Sequence, residues 1–193
     1  MAGVDEAGRG SLAGPLVAAA VLIDYGSLSL RDRRALGELD DSKKRSPEER
    51  EELYPAVVRA ASRVAVTVRC VRGIDARGLH VTNIAALRRS LERVAVPAAT
   101  CLVDGFRLPG CEVAHQPLID GDARSAAIAA ASVIAKVTRD RYMCSIDSLH
   151  PGFGFAENAG YSTPEHRAAI IELGPTIQHR RSFQSIAYTQ LAL

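Results

Sequence analysis

The chain opens with Gly3-Val4-Asp5-Glu6-Ala7-Gly8-Arg9-Gly10, and Leu12-Ala13-Gly14-Pro15 then leads into an apolar run that reaches position 23. This stretch predicts two strands, at 4–6 and 15–23, joined by a turn around the two glycines. Two carboxylates close the first strand, and the glycines after them let the backbone approach a ligand closely. The opening therefore predicts the antiparallel start of a sheet, with acidic side chains beside its first turn.

The remaining elements follow in an order typical of an α/β fold. Patterning predicts strands at 63–71, at 100–103 and, with a weaker signal, at 111–119. Helices are predicted after an N-cap at Ser46, over 82–94, over an Ala-rich segment at 123–149, near 164–173, and after His179. This order predicts a mixed sheet whose antiparallel part comes first. No linker divides the chain, so one domain is expected, with an α/β core at about 1–149 and a C-terminal helical extension at about 150–193.

Composition excludes some classes of protein and leaves others open. The 193 residues are 47% hydrophobic and carry a net charge of +2, which excludes a wholly disordered chain. The longest apolar stretch, at 12–23, is too short to cross a membrane. Only three of the 24 basic residues are lysine, which fits biased genome composition or phosphate binding by arginine. Cysteine and histidine are scattered without zinc-site spacing, and Cys70 and Cys101 are expected to be buried thiols.

Acidic residues follow the ends of several predicted strands. Asp5 and Glu6 close the first strand, Asp104 closes the fourth, and Asp122 lies just past the fifth. Because ligands gather at strand ends in α/β sheets, these side chains can converge. Two carboxylates 4 Å apart repel by about 4 kcal/mol at an effective dielectric constant near 20, so a cluster of four calls for a divalent cation. Oxygen ligands without His or Cys favour Mg²⁺ or Mn²⁺ over zinc.

Each acid also has a simpler interpretation. Asp104-Gly105 is an ordinary turn dipeptide, and Asp122 is a candidate cap for the long helix. Asp5 and Glu6 are neighbours, so on a regular strand they point to opposite faces unless the strand twists or ends there.

Blocks along essentially the whole chain resemble the ribonuclease HII family, in that family's order. Besides the opening already quoted, they are Asp41-Ser42-Lys43-Lys44, Val103-Asp104-Gly105, Gly121-Asp122, the helical segment 129–141, Gly160-Tyr161-Ser162-Thr163 and His179-Arg180-Arg181-Ser182-Phe183. The resemblance implies an RNase H-like three-layer fold, with a mixed central sheet flanked by helices and a small C-terminal helical cap. It also implies an endonuclease that cuts the RNA strand of RNA–DNA hybrids and incises at ribonucleotides embedded in duplex DNA. Two-metal catalysis would leave 5′-phosphate and 3′-hydroxyl ends.

By position, the resemblance implies that Asp5, Glu6, Asp104 and Asp122 are the family's four metal-binding acids. Asp140 is the rival for the fourth place, and we interpret it as structural because Lys136 lies one helical turn before it.

The resemblance also implies residues that contact the substrate. Gly8-Arg9-Gly10 lies beside the first two acids, where backbone groups can sense the 2′-hydroxyl that distinguishes RNA from DNA. Tyr161 matches the family's tyrosine at the junction between ribonucleotide and deoxyribonucleotide. Ser42, Lys43 and Lys44 are candidate phosphate contacts, as are Arg180 and Arg181. Where the family's pattern has a basic pair, this chain has Asn158-Ala159, so one phosphate contact is missing or has moved to Arg167.

Two other classes of protein stay open at this point. An RNase H-fold DNA nuclease of the resolvase or integrase kind would share the acids, and a non-catalytic hybrid-binding protein would share the substrate. The expected partner is nucleic acid, and we expect a monomer in the cytoplasm with no membrane contact. Part of the family contacts a sliding clamp, but the final residues show no motif for such a contact.

Overall fold

The structure is a computed structural model, and it describes residues 1–39 and 46–183. One five-stranded sheet forms the centre, in the order β3-β2-β1-β4-β5. The strands are β1 (Ala2–Ala7), β2 (Leu16–Leu22), β3 (Arg63–Arg69), β4 (Cys101–Asp104) and β5 (Gln116–Leu118). The helices are α1 (Leu30–Gly37), α2 (Pro47–Ala60), α3 (Val71–Arg77), α4 (Leu79–Val94), α5 (Gly121–Arg124), α6 (Ala126–Asp147), α7 (Phe155–Asn158) and α8 (Pro164–Leu173).

The sheet is mixed, as the order of elements predicts. Strand β1 pairs antiparallel with β2, which pairs antiparallel with β3, whereas β1, β4 and β5 run parallel. In the parallel pair, Val4 lies opposite Val103. The next residues, Asp5 and Asp104, therefore come to the same edge of the sheet.

Helices cover both faces, so the predicted three-layer architecture is confirmed. The first half of α6 is buried between β1 and β2 on one side and α1 and α2 on the other. Helix α4 covers the opposite face, with Leu87 and Leu91 packed against even-numbered residues of β1 and β2. A Cβ atom on Gly3 would overlap the backbone of Ala127, so glycine is needed there for α6 to approach the sheet.

A third apolar cluster supports the predicted C-terminal helical cap. Phe153, Phe155 and Ile170 pack against Met143 near the end of α6 and against Leu12, which follows β1. The cap therefore contacts the loop that carries the two glycines of the opening motif. Across the described ranges, no helix is long and apolar enough to span a membrane.

Several local predictions are confirmed. Helix α2 begins as predicted, with Pro47 after the cap: the Ser46 hydroxyl accepts from the Glu49 amide at 3.2 Å, and the Ser46 amide donates to the Glu49 carboxylate at 2.7 Å. Cys101 is buried, as expected.

Other local predictions are wrong. Helices α1 and α3 are not predicted by the apolar pattern, and the strand predicted at 63–71 ends at Arg69 because α3 begins at Val71. Cys70 occupies the N-cap position of α3 without a side-chain hydrogen bond and is exposed, so it is not a buried thiol. The strand expected at 111–119 is reduced to three residues around Pro117, which cannot donate a ladder hydrogen bond. The helix predicted after His179 does not begin within 180–183, where the chain turns, and the rest of that prediction falls on residues 184–193, outside the described part.

Candidate active site

An open cavity of about 640 Å³ lies where β1 and β4 end. Asp5, Glu6 and Asp104 line it, together with the loop Gly8-Arg9-Gly10. The other side is formed by groups from α6, α2 and the cap: Ser132, Lys136, Arg50 and Tyr161. Seven of the residues that the sequence singles out as candidates therefore meet at one place.

Asp5 is a strongly perturbed acid of this cavity. Its residue is 4% exposed, and one carboxylate oxygen accepts from the Glu6 amide at 2.7 Å. Burial, and after it the negative charges of Glu6 and Asp104, raise the pKa of Asp5 from 3.8 to about 8, although a hydrogen bond from the Ser132 side chain opposes this rise. Ionised Asp5 therefore costs free energy here, and a bound cation would reverse that cost.

Glu6 and Asp104 complete the carboxylate cluster from different directions. Glu6 points to the face of the sheet opposite Asp5, because both residues lie within strand β1. Both side chains still line the cavity, since β1 ends one residue later, at Ala7. Arg9 lies 3.8 Å from the Glu6 carboxylate. Asp104 accepts a 2.8 Å hydrogen bond from the Gly121 amide, which attaches the start of α5 to the end of β4.

Asp122 lies beside this cluster and not in the same cavity. It is 5% exposed, within α5, and lines a separate cavity with residues of α1 and α6. It does not cap the long helix, because Ser125 occupies the N-cap position of α6. Within residues 1–39 and 46–183, no three or more His, Cys, Asp or Glu side chains are arranged to hold a metal ion.

Asp140 is engaged in ion pairs. Its carboxylate lies 2.7 Å from the Lys136 ammonium and 3.7 Å from the Arg50 guanidinium. Lys136 and Arg50 both line the carboxylate cavity, so Asp140 holds two cationic groups at its wall.

The loop after β1 is held by two arginines that the sequence analysis did not single out for this role. Arg139 is fully buried, and its guanidinium donates to the carbonyl oxygens of Pro15 at 2.9 Å and Ala13 at 3.0 Å. Arg180 is also fully buried and donates to the carbonyl oxygens of Gly14 and Arg9. Arg180 is therefore a support of the loop and not an exposed phosphate contact. The sequence signal for Arg139 is its position: it is a charged residue on the helix that continues the Ala-rich run at 126–137.

The two glycines of the loop differ in what they require. Gly8 has a φ of 84°, and a Cβ atom on it would overlap the Arg139 guanidinium and its Cδ. Gly10 has open space where its Cβ would be. The fold therefore explains glycine at position 8 and does not explain it at position 10.

Tyr161 stands at the rim of the cavity and is 36% exposed. Its ring lies 5.5 Å from the Lys136 ammonium and 5.3 Å from the Arg139 guanidinium carbon. Asn158 shapes the turn before it by donating to the Phe153 carbonyl at 2.6 Å and accepting from the Gly160 amide at 2.7 Å.

Other predicted contacts are placed away from the cavity or outside the described residues. Arg167 donates to the carbonyl oxygen of Ser162 at 2.7 Å, on the exposed side of α8. Arg181 follows the cap, where its amide donates to Asp75 at 3.1 Å. Ser42, Lys43 and Lys44 lie outside the described residues.

Comparison with known proteins gives consistent matches. A family model described as Ribonuclease HII matches residues 2–186. A ribonuclease HII from Nocardia farcinica is 51% identical over 186 residues, which cover 96% of this chain and 72% of the relative. Ribonuclease H2 from Pyrococcus horikoshii has a similar structure, with a TM-score of 0.78 at 25% identity, over 98% of this chain and 95% of that one.

Two further solved structures are similar. The ribonuclease HII in a PCNA complex from Archaeoglobus fulgidus has a TM-score of 0.76 at 28% identity, over 93% of this chain and 92% of that one. Bst ribonuclease HIII in complex with Mn²⁺ has a TM-score of 0.73 over 99% of this chain and 68% of that one, and at 21% identity it shows the fold alone.

Proposed function

This chain belongs to the ribonuclease HII family and is a ribonuclease H, and from that premise we propose that it hydrolyses the RNA strand of RNA–DNA hybrids and incises at ribonucleotides embedded in duplex DNA. The products would carry 5′-phosphate and 3′-hydroxyl ends. The observation that carries the proposal is Asp5, a buried carboxylate beside two other acids at the end of a central strand. A cation bound beside this carboxylate would offset the cost of burying its charge, which supports a metal-binding role.

We propose that Asp5, Glu6, Asp104 and Asp122 hold two divalent ions, Mg²⁺ or Mn²⁺. The donor set fits, because it consists of carboxylate oxygens. Asp122 directly follows Gly121, whose amide donates to the Asp104 carboxylate, and this link supports Asp122 as the fourth ligand. When bound, the metal would supply an activated water and stabilise the leaving 3′-oxygen.

The remaining groups of the cavity suit a phosphodiester of the substrate backbone. Lys136 and Arg50 are cationic and line the wall next to the acids, where they would attract the phosphate despite the nearby carboxylates. The backbone of Gly8-Arg9-Gly10 would contact the 2′-hydroxyl, and the open space at Gly10 leaves room for a ribose. Ser42 and Lys43 are further proposed contacts with the substrate. We propose that residues 1–193 act as one catalytic domain, as a monomer in the cytoplasm.

The test of this function offers the purified protein two duplexes, one of DNA alone and one with a single embedded ribonucleotide. Each is incubated with Mg²⁺, with Mn²⁺ or with EDTA, and the products are sized and their ends identified. We expect cleavage of the second duplex only, and only with metal. Cleavage of the all-DNA duplex would favour the DNA-nuclease alternative, and binding without cleavage would favour the non-catalytic one.

A first prediction separates the two candidates for the fourth acid. Asp122→Asn is expected to reduce cleavage by about 10²-fold or more, because it removes a proposed metal ligand. Asp140→Asn is expected to cost less activity and more stability, because it breaks the ion pairs with Lys136 and Arg50. Initial rates and melting temperatures measured on both variants check this. A larger loss of activity in Asp140→Asn would assign the fourth place to Asp140.

A second prediction concerns the specificity for single ribonucleotides. Tyr161→Ala is expected to lower kcat/KM on a duplex with one ribonucleotide by about tenfold more than on a long RNA–DNA hybrid, since only the first substrate presents a single junction. Tyr161→Phe is the control, because it keeps the ring over Lys136 and Arg139. Equal losses on both substrates would remove the junction role.

A further inference from the structure

Two histidines face each other inside the C-terminal cap. His166 is 0% exposed and His179 is 1% exposed, and their Nε2 atoms lie 3.1 Å apart. Phe153 and Phe155 surround them, with ring centroids 4.9 to 6.4 Å from the imidazole centroids. Neither histidine lines the carboxylate cavity, and the proposed reaction does not use them.

The hydrogen-bond partner of Nδ1 in each ring determines which ring nitrogen carries the hydrogen. His166 Nδ1 lies 2.7 Å from the Tyr161 carbonyl oxygen, which can only accept, so Nδ1 carries the hydrogen and Nε2 is an acceptor. The Thr176 amide donates to His179 Nδ1 at 2.9 Å, so that nitrogen is an acceptor and Nε2 carries the hydrogen. The 3.1 Å contact is then a hydrogen bond from His179 to His166. Hydrogen bonds are therefore donated in one direction, from the Thr176 amide to His179, from His179 to His166, and from His166 to the Tyr161 carbonyl oxygen.

The pair also connects the two segments that carry the proposed substrate contacts. At one end it binds the backbone of Tyr161. At the other, His179 forms a β-bridge with Ala13, in the loop that begins with the two glycines. The same loop donates to the Gly160 carbonyl through the amides of Leu12 and Ala13. A shift of either histidine would therefore move Tyr161 relative to the loop.

We propose that His166 and His179 form a neutral hydrogen-bonded dyad that positions Tyr161 against the Gly8-Arg9-Gly10 loop. The inference rests on the proposed function for its effect on substrate, because Tyr161 is assigned to the ribonucleotide junction there. Both histidines are positioning residues, since they act through Tyr161 and the loop. The substrate recognised remains a duplex with a ribonucleotide junction.

The electrostatic surroundings keep the dyad neutral. Burial lowers the pKa of His166, and a hydrogen bond to the Tyr161 carbonyl only partly opposes this. Burial, and after it the neighbouring His166 and His150, lower the pKa of His179 to about 4. Two neutral rings with one fixed direction of donation are therefore present at neutral pH. An arrangement that served packing alone would not require a particular tautomer.

The first test reads the tautomers directly in the full chain by ¹⁵N NMR of the imidazole nitrogens. We expect a protonated Nδ1 on His166 and a protonated Nε2 on His179, with neither ring charged at pH 7. The opposite tautomer on either ring, or a charged ring, overturns the proposal. This measurement needs no substrate, so its outcome is independent of whether the chain cleaves ribonucleotides.

The second test measures coupling between the dyad and Tyr161. His166→Phe removes both hydrogen bonds, and His166→Asn keeps a donor near the Tyr161 carbonyl. We expect His166→Phe to lower kcat/KM on a duplex with one ribonucleotide by about tenfold, and His166→Asn to recover most of it. In a Tyr161→Ala background, His166→Phe should cost less than about threefold further.

A full tenfold loss of kcat/KM in the Tyr161→Ala background would show that His166 acts independently of Tyr161, and would overturn the proposal. Equal activity of His166→Phe and the wild type would do the same. Melting temperatures of the wild type and the four variants, all above the assay temperature, ensure that the compared proteins are folded. If the wild type cleaves neither duplex, the proposed function fails. The ¹⁵N NMR measurement of the tautomers still tests whether the histidine dyad exists.

Discussion

Asp5→Asn is expected to reduce metal-dependent cleavage of a duplex with one ribonucleotide by at least about 10³-fold, while binding of the duplex persists. Asn has nearly the same shape as Asp, so the local backbone should keep its position. What it removes is the negative charge next to Glu6 and Asp104, which is the charge that a divalent ion would neutralise. Rates under single-turnover conditions and a binding assay with EDTA check the two halves of this expectation.

The same substitution is expected to stabilise the protein when no metal is present. The pKa of Asp5 is about 8 in the folded state against an ordinary value of 3.8, so the folded state holds a proton that the unfolded chain has lost. Between these two pH values, the free energy of unfolding falls as the pH rises, by about 1.4 kcal/mol per unit. Asp5→Asn removes this contribution, so its melting temperature should exceed that of the wild type at pH 8 and approach it near pH 4.

Added Mg²⁺ separates the metal role of Asp5 from a purely structural one. The wild type should be stabilised by Mg²⁺, because an ion that binds only the folded state raises the melting temperature. The Asp5→Asn variant should gain much less. Glu52→Gln, on the exposed side of α2, is the matched control and should leave activity and the metal effect unchanged. Retained cleavage in Asp5→Asn, or an equal Mg²⁺ effect in both proteins, would contradict the assignment.

The second large effect on activity is expected from alanine substitutions at the two loop glycines, Gly8 and Gly10, and the effect on stability should differ between them. Gly8→Ala should lower both stability and activity strongly. A left-handed φ of 84° disfavours alanine by about 1–2 kcal/mol, and the new Cβ would overlap a buried Arg139 that cannot move without losing its hydrogen bonds. Activity should fall by about 10² because the loop must shift away from Asp5 and Glu6.

Gly10→Ala is the matched comparison within the same loop. Nothing lies near its Cβ, so the melting temperature should stay close to that of the wild type. If the backbone there approaches a ribose, kcat/KM on the ribonucleotide duplex should still fall, by about tenfold or more. Thermal melting and steady-state kinetics on both variants distinguish the cases. A fully active Gly10→Ala variant would remove that glycine from the proposed substrate contacts.

Much of the fold could be predicted because its signals are local. Apolar alternation and runs predict the strands, and Ser46 with Pro47 and Glu49 predicts the start of α2. Helices α1 and α3 were missed because α1 is largely polar and α3 is a seven-residue segment directly after a strand, without a side-chain cap. Because Asp5 and Asp104 lie near the ends of predicted strands, the sequence could also predict that the two side chains can converge, although their separation and burial depend on how β1 and β4 pair.

The sequence by itself determined the mixed order of strands, the Ala-rich central helix, the four candidate acids and the family resemblance, since each depends on residues close together in the chain or on motifs in order. Tertiary structure alone decided that Asp5, Glu6 and Asp104 share a cavity while Asp122 lies beside it. It also decided that Arg139 and Arg180 are buried under the loop. The physical reason is that these features depend on contacts over long separations, such as the 124 residues between Arg139 and Pro15. Burial, and with it the pKa of a side chain, exists only once those distant segments have packed together.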